Sequence, residues 1–102
     1  QARYGEGITI EGELSSDEDV VVRGNVRGKL TAKEGVVVEA SATVEADVTG
    51  GTMTIAGSIT GNVQSSDRVD LQAGAKLVGN VKAARITIAD GAQFKGSVDM
   101  DV

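Results

Sequence analysis

Carboxylate side chains are the most obvious candidates for chemistry in this sequence. Asp17, Glu18 and Asp19 are consecutive, and Asp99 alternates with Asp101 at the end of the chain. Neighbouring carboxylates can bind calcium or serve as the acid and base of a glycosidase. The Gly-Gly-x-Gly-x-Asp signature of calcium-binding β-rolls is absent, however, so the acidic run is typical of a solvated turn. The alternating acids are typical of the outer face of a strand.

The residue types on which most enzymes and metal sites depend are missing. The chain has no histidine and no cysteine. This removes the commonest general base, the usual zinc ligands and any disulfide. Gly5-Glu6-Gly7 and Gly50-Gly51 do not lie between a strand and a helix, so neither resembles a phosphate-binding loop. We therefore predict that the protein is not an enzyme and binds no metal ion or cofactor.

The charge balance and the hydropathy pattern exclude further classes. Ten basic and fifteen acidic residues give a net charge of −5. Since phosphate recognition needs clustered Lys and Arg, we predict no nucleic-acid partner. No apolar run is long enough to cross a bilayer, and no signal peptide is recognisable. Because the chain begins at Gln1, we expect it to be a trimmed or processed piece.

The elements that must position the remaining side chains are strands. Between residues 36 and 48 the even positions are Val or Ala, and the odd positions after Val37 are Glu, Ser, Thr or Asp. A period of two places these residues on opposite faces of an extended backbone. Val, Ile and Thr dominate throughout, as strands prefer, and no segment has helical spacing with a good cap. The sequence therefore predicts an all-β protein.

One five-residue pattern recurs six times, in the order apolar, polar, small, polar, apolar. The copies occupy residues 10–14, 26–30, 44–48, 59–63, 77–81 and 94–98. Their first residues are 16, 18, 15, 18 and 17 positions apart. A short, nearly fixed period of strand-like units predicts a solenoid. At about 3.3 Å per residue, one winding forms three short strands around a narrow triangle.

We therefore predict a single all-β domain, a parallel β-helix of six windings with a triangular cross-section. Its core is expected at residues 8–100, after an N-terminal extension at residues 1–7 and before a C-terminal end at residues 101–102. Stacking also aligns two outward columns whose charge alternates through the first three windings: Glu11, Arg27, Glu45 and Glu13, Lys29, Asp47. Alternating charge on adjacent strands is favourable and supports this register.

The two ends of such a rod expose unpaired strand edges above an apolar core, and the sequence contains no obvious cap. We predict that both ends are interfaces of a polymer. At the N-terminal end the predicted interface residues are Tyr4, Ile8, Ile10 and Leu14. At the C-terminal end they are Ile86, Ile88, Phe94, Val98 and Met100. Physical reasoning alone leaves open whether like or unlike ends meet.

Residues 55–63, Ile-Ala-Gly-Ser-Ile-Thr-Gly-Asn-Val, and residues 90–98, Asp-Gly-Ala-Gln-Phe-Lys-Gly-Ser-Val, resemble bactofilins, the bacterial polymer-forming cytoskeletal family. The resemblance covers nearly the whole chain. It implies a right-handed β-helix that polymerises end to end, without nucleotide, into non-polar filaments. It also implies a cytoplasmic scaffold, at the inner face of the cytoplasmic membrane, that localises partners such as cell-wall enzymes and helps to set cell shape. Membrane contact would then be made by flexible tails outside the core.

Two alternatives to a filament use the sides of the rod. A monomeric binding or adaptor module would use one flat side face, and the charged columns of the first three windings are its expected surface. An ice-binding protein would need a regular Thr-x-Thr array on a flat face. The threonines do not form one, because charged residues interrupt their columns. The adaptor module is therefore the main alternative.

Overall fold

The computed structural model describes the backbone of residues 2–4 and 9–100 and the side chains of residues 11–99. That part of the chain contains strands and no helix. The strands are β1 (Ala2–Tyr4), β2 (Thr9–Ser16), β3 (Val20–Val22), β4 (Asn25–Ala32), β5 (Gly35–Val38), β6 (Thr43–Ile55), β7 (Ser58–Thr60), β8 (Val63–Leu71), β9 (Lys76–Ala83), β10 (Arg85–Ile88) and β11 (Gln93–Met100). All their pairings are parallel. The chain is therefore a parallel β-solenoid.

The windings stack in the register that the repeat predicts. The first residues of successive copies pair as Ile10 with Val26, Val26 with Val44, Val44 with Ile59, Ile59 with Leu77, and Leu77 with Phe94. The prediction of a parallel β-helix with about six windings is confirmed. The right-handed sense of winding, which the family resemblance implies, stays a prediction.

The sequence predicts three short strands in each winding, but the structure has one long and one short stretch of strand. Stacking of the windings turns these into a long and a short strand column. The long column contains β2, β4, the first half of β6, β7 with the start of β8, β9 and β11. The short column contains β1, β3, β5, the second half of β6, the end of β8 and β10. The strand number differs because hydrogen bonding mostly continues through the middle of the long column, where a glycine lies.

The stacked glycines in the long column are required by close packing. Gly28 and Gly79 have φ angles of 116° and 138°, values that L-residues rarely adopt. A Cβ atom at either position would overlap the carbonyl oxygen of the glycine one winding below. Ala46 takes this place in the third winding, and no non-glycine residue in the described backbone has a positive φ. The small residue at the centre of the repeat therefore lets successive windings approach closely.

A continuous apolar column fills the interior. The large inward-pointing side chains of the middle windings have less than 2% of their surface exposed: Leu30, Met53, Ile55, Ile59, Leu71 and Leu77. Strict alternation produces this result, since every second residue of a strand lies on the inner face. Parallel sheets are usually covered by helices on both faces. The described part of this chain has no helix, so the sheet is stabilised by the apolar interior that it encloses.

Two further features explain the uneven spacing and the start of the sheet. Three corners contain a turn in which an alanine N–H bonds the carbonyl oxygen three residues earlier: Ala42 to Glu39, Ala75 to Gln72 and Ala92 to Ala89. These turns precede the repeat copies at residues 44–48, 77–81 and 94–98, which follow the longer spacings of 18, 18 and 17 residues. At the N-terminus, β1 pairs with β3, so parallel pairing begins within the region where the sequence predicts an extension.

Candidate polymer interface

The last winding of the described chain has open strand edges. β10 pairs only with β8, and β11 pairs only with β9. Each therefore presents one row of backbone N–H and C=O groups that has no strand partner within the described residues. An open edge of this kind is a ready template for pairing with another chain. Both edges lie in the same terminal winding, so they form one surface, which we name the C-terminal end surface.

Apolar side chains of this winding are much more exposed than those directly below them. Val98 is 41% exposed, whereas Val81, its partner in the preceding winding, is 1% exposed. Ile88 is 49% exposed, whereas its partner Leu71 is 1% exposed. The side chains point inward in each case, but within the described residues the last winding is covered from one side only. The apolar core is therefore accessible to solvent at this end of the rod.

Phe94 and Ile86 lie at the centre of the C-terminal end surface. Both are half-buried and pack against the core. Their partners one winding below, Leu77 and Val69, have no exposed surface. Covering half-exposed side chains of this size is worth about 1 kcal/mol each. Four such residues on each molecule give the surface a substantial drive to associate.

The structure places Ile86, Ile88, Phe94 and Val98, four of the five predicted C-terminal residues, on one surface, and it places one predicted side chain at the other end. Leu14 is half-buried and packs against the core from the N-terminal side. The backbones of Tyr4 and Ile10 pair with Val22 and Val26 in the inward columns. The side chains of Tyr4, Ile10 and Met100, and all of Ile8, lie outside the described residues.

The side faces of the rod are polar, and their charges are arranged in ladders between windings. Arg27 lies between Glu11 and Glu45, with nitrogen–oxygen distances of 3.9 and 3.3 Å. Arg23 contacts Glu39 of the next winding at 2.7 Å. These side chains are mostly solvent-exposed, so each pair contributes at most about 1 kcal/mol. The predicted charge alternation therefore holds the windings in register more than it creates a separate binding surface.

The second charged column is aligned but less tightly bonded. Glu13, Lys29 and Asp47 occupy consecutive register positions, as predicted. Beyond them the column becomes neutral: the backbone N–H of Asn62 donates to Asp47 Oδ1 at 3.4 Å. Asn80 accepts a hydrogen bond from the Ser97 hydroxyl at 2.6 Å. The polar ladder thus continues to the C-terminal end.

Reversing the charge in the middle of the first column tests the ladder. Arg27→Glu would stack three carboxylates, and we expect it to lower the free energy of unfolding by about 1–2 kcal/mol. The loss should shrink as NaCl is added, because salt screens exposed charges. Urea unfolding at low and high salt measures both effects. Arg27→Lys is the control and should be nearly neutral; an equal, salt-independent loss would instead indicate a packing role for Arg27.

Two global observations bear on other functions. Among the described residues, no cluster of three or more acidic, His or Cys side chains is placed to hold a metal ion. The same part of the chain has no helix that could span a membrane.

Comparison with known proteins gives one consistent result. Residues 3–99 match the family described as bactofilin, polymer-forming cytoskeletal. Bactofilin BacO of Myxococcus xanthus is 52% identical over 98 residues, which are 96% of this chain and 78% of the relative. Bactofilin BacN of the same organism is 42% identical over 96% of this chain and 87% of its own length. Bactofilin BacP is 41% identical over 94% of this chain but only 40% of its own length.

No solved structure gives a significant match. The family match spans almost the whole solenoid, and the relatives share close to half of its residues, so the resemblance suggested by the sequence is confirmed. The chain belongs to the bactofilin family of polymer-forming cytoskeletal proteins.

Proposed function

We propose that this chain assembles end to end, without nucleotide, into non-polar filaments that act as a cytoplasmic scaffold. The observation that carries the proposal is the C-terminal end surface, where apolar core residues and open strand edges are exposed together. Membership of a polymer-forming family supports it. Nucleotide independence is supported by the chemistry of the sequence, which contains no phosphate-binding loop between a strand and a helix.

The apolar character of the C-terminal end surface favours contact between like ends. A charged surface repels its own copy. An apolar surface can pair with its own copy, because the free energy of burying apolar area does not depend on charge. A two-fold contact between C-terminal ends, alternating with one between N-terminal ends, gives a filament without polarity. On the N-terminal winding the outward residues include Glu11 and Glu13, so we expect that contact to be the weaker of the two.

The scaffold role rests on the polar sides of the rod. End-to-end assembly leaves the side faces free, and repetition along a filament presents them at high local concentration to other proteins. We propose that cell-wall enzymes or other localised proteins bind there and that the filament lies near the inner face of the cytoplasmic membrane. A monomeric adaptor that uses the charged columns is less well supported, because Arg27 and Arg23 are already paired within the molecule.

Electron microscopy and sedimentation in nucleotide-free buffer test this proposal. We expect filaments only a few nanometres wide, because the molecule measures 32 × 26 × 20 Å. Most of the protein should pellet at high speed across a range of salt and protein concentrations. A discrete particle of monomer mass under all these conditions would overturn the proposal and would favour the adaptor module.

A further inference from the structure

A groove of about 490 Å³ runs along one corner of the solenoid, where the long strand column turns into the short one. Lys33 lies at one end of the groove and Lys82 at the other, and Gln64, Ser65 and Ser66 line it between them. We name it the corner groove. It lies on the side of the rod, and none of its lining residues belongs to β10 or β11, so end-to-end contacts leave it open.

Unequal corner lengths create the groove. The third winding turns this corner with a single residue, Gly51, whereas the windings below and above use Lys33-Glu34 and Ser66-Asp67. The pairing of β6 with β8 shifts register at this point. Gly51 itself has no room for a side chain, because a Cβ atom would lie 2.9 Å from the carbonyl oxygen of Glu34. The recess is therefore built into the backbone.

The electrostatics of the groove differ from those of the whole chain. The protein has a net charge of −5, yet the residues that line the groove, all of them described, include two lysines and no acid. Lys82 has Asp99 as its register partner on β11, but it makes no ion pair within 4.0 Å in the described part of the chain. Lys33 is paired with Asp17 at 3.5 Å, but both side chains are more than 75% exposed, so this pair exchanges easily with a competing anion.

The span between the two lysines indicates the shape of the ligand. Lys33 and Lys82 lie three windings apart, a separation of about 14 Å at 4.8 Å per strand. This is a separation of backbone positions, so a single phosphate or carboxylate group would reach both ammonium groups only if the two side chains bent toward each other. An extended peptide covers that distance in about four residues at 3.3 Å each. The hydroxyl and amide groups of Ser66, Gln64 and Thr49 offer hydrogen bonds along the way.

We propose that the corner groove binds an extended acidic segment of a partner protein, with two carboxylates about four residues apart on Lys33 and Lys82. A second copy of this chain is a poorer occupant, although its corner at residues 17–19 is acidic. There Asp19 accepts a hydrogen bond from the Gly35 N–H at 2.8 Å and Glu18 has a partner of its own, so of the three acids only Asp17, whose pair with Lys33 is exposed, exchanges its partner easily.

A labelled peptide of Gly and Ser with two Glu residues four positions apart is the probe. Fluorescence anisotropy with the whole protein should show saturable binding. A peptide with adjacent Glu residues loses one charge pair and should bind about fivefold more weakly, and a peptide with Gln in place of both Glu residues loses two pairs and should bind about 25-fold more weakly, since each exposed pair is worth at most about 1 kcal/mol. Equal binding of all three peptides would overturn the proposal.

A matched pair of variants locates the binding site. Lys82→Glu should weaken binding of the Glu peptide at least about tenfold. Lys76→Glu makes the same charge change on the same strand, β9, at another exposed position outside the groove, and should change the affinity less than about twofold. Equal losses in both variants would mean that only overall charge matters and would contradict the groove as the site.

The remaining outcomes separate other ligands from the proposed one. Displacement of the peptide by single-stranded RNA, or by vesicles with anionic lipid, at lower concentration than by unlabelled peptide would overturn the peptide assignment. Loss of lateral bundling in Lys82→Glu, without peptide binding in the unmodified protein, would identify a second copy as the occupant. All the residues that line the groove belong to one molecule, so peptide binding does not require polymerisation, and failure here is distinguishable from failure of the filament proposal.

Discussion

Phe94→Arg should abolish filament formation and leave a folded, β-rich protein in solution. Phe94 lies half-buried on the C-terminal end surface and pairs in register with the fully buried Leu77. A guanidinium group there can reach solvent in the free molecule, but assembly would bury it without a partner, at a cost of several kcal/mol. High-speed sedimentation and electron microscopy report assembly, and circular dichroism reports the fold. Filaments that persist in this variant would remove Phe94 from the interface.

Two companion variants separate loss of contact from loss of fold or from a general charge effect. Ile88→Lys alters a residue that is already 49% exposed, so it should block assembly with little effect on the stability of the single molecule. Thr60→Arg places the same charge as Phe94→Arg on an exposed side-face position in the middle of the rod. It should assemble like the unmodified protein.

The mass of the blocked Phe94→Arg species also reports filament polarity. In a non-polar filament the N-terminal contact is separate from the C-terminal one, so the variant should stop at a dimer joined through N-terminal ends. In a polar filament one type of contact is repeated, and its loss leaves monomers. Analytical ultracentrifugation distinguishes these masses, and a dimer would support the arrangement that we propose.

Gly79→Ala should have the largest effect on the stability of the fold. Gly79 has a φ of 138°, and a Cβ atom there would overlap the carbonyl oxygen of Gly61 in the winding below. Strain at such a φ costs about 1–3 kcal/mol, and separating two windings in the middle of the ladder adds to it. We expect a loss of about 4 kcal/mol or more, a large part of the 5–15 kcal/mol that stabilises a typical domain.

Gly74→Ala is the matched control for this prediction. Gly74 also has a positive φ, 87°, but nothing lies within 4 Å of the position where a Cβ atom would be. It should therefore show only the conformational cost, about 1–2 kcal/mol. Thermal unfolding by circular dichroism, with both substitutions in the Phe94→Arg background to prevent assembly, compares them. Equal losses would mean that close stacking of the windings contributes little.

The sequence predicted the stacking register because the physics that sets it is local. In the copies at residues 77–81 and 94–98, alternation assigns each residue to the inner or outer face, and a slip by one residue would turn the apolar set outward. The pairing of Leu77 with Phe94 and of Val81 with Val98 follows directly. The charge order around Arg27 was predictable for the same reason. Strand number was not, because only the assembled backbone shows that hydrogen bonding passes through the glycines.

The corner groove was not predicted. From sequence, Gly50-Gly51 indicates only a turn, and its neighbours indicate ordinary corners. The signal was present as unequal corner lengths, one residue at Gly51 against two at Lys33-Glu34 and at Ser66-Asp67. The groove can be recognised only when three windings are stacked. It arises from a difference in length between corners that are neighbours in space but far apart in sequence.

The sequence by itself determined the type of fold, the family and the inner and outer faces of each strand, since these depend on residues two positions or one repeat apart. The tertiary structure decided which inward residues are covered. Val81 and Val98 occupy the same place in the repeat, yet one is 1% and the other 41% exposed. Burial is a sum over neighbours in space, and of these two residues only Val81 has a winding on both sides within the described part of the chain.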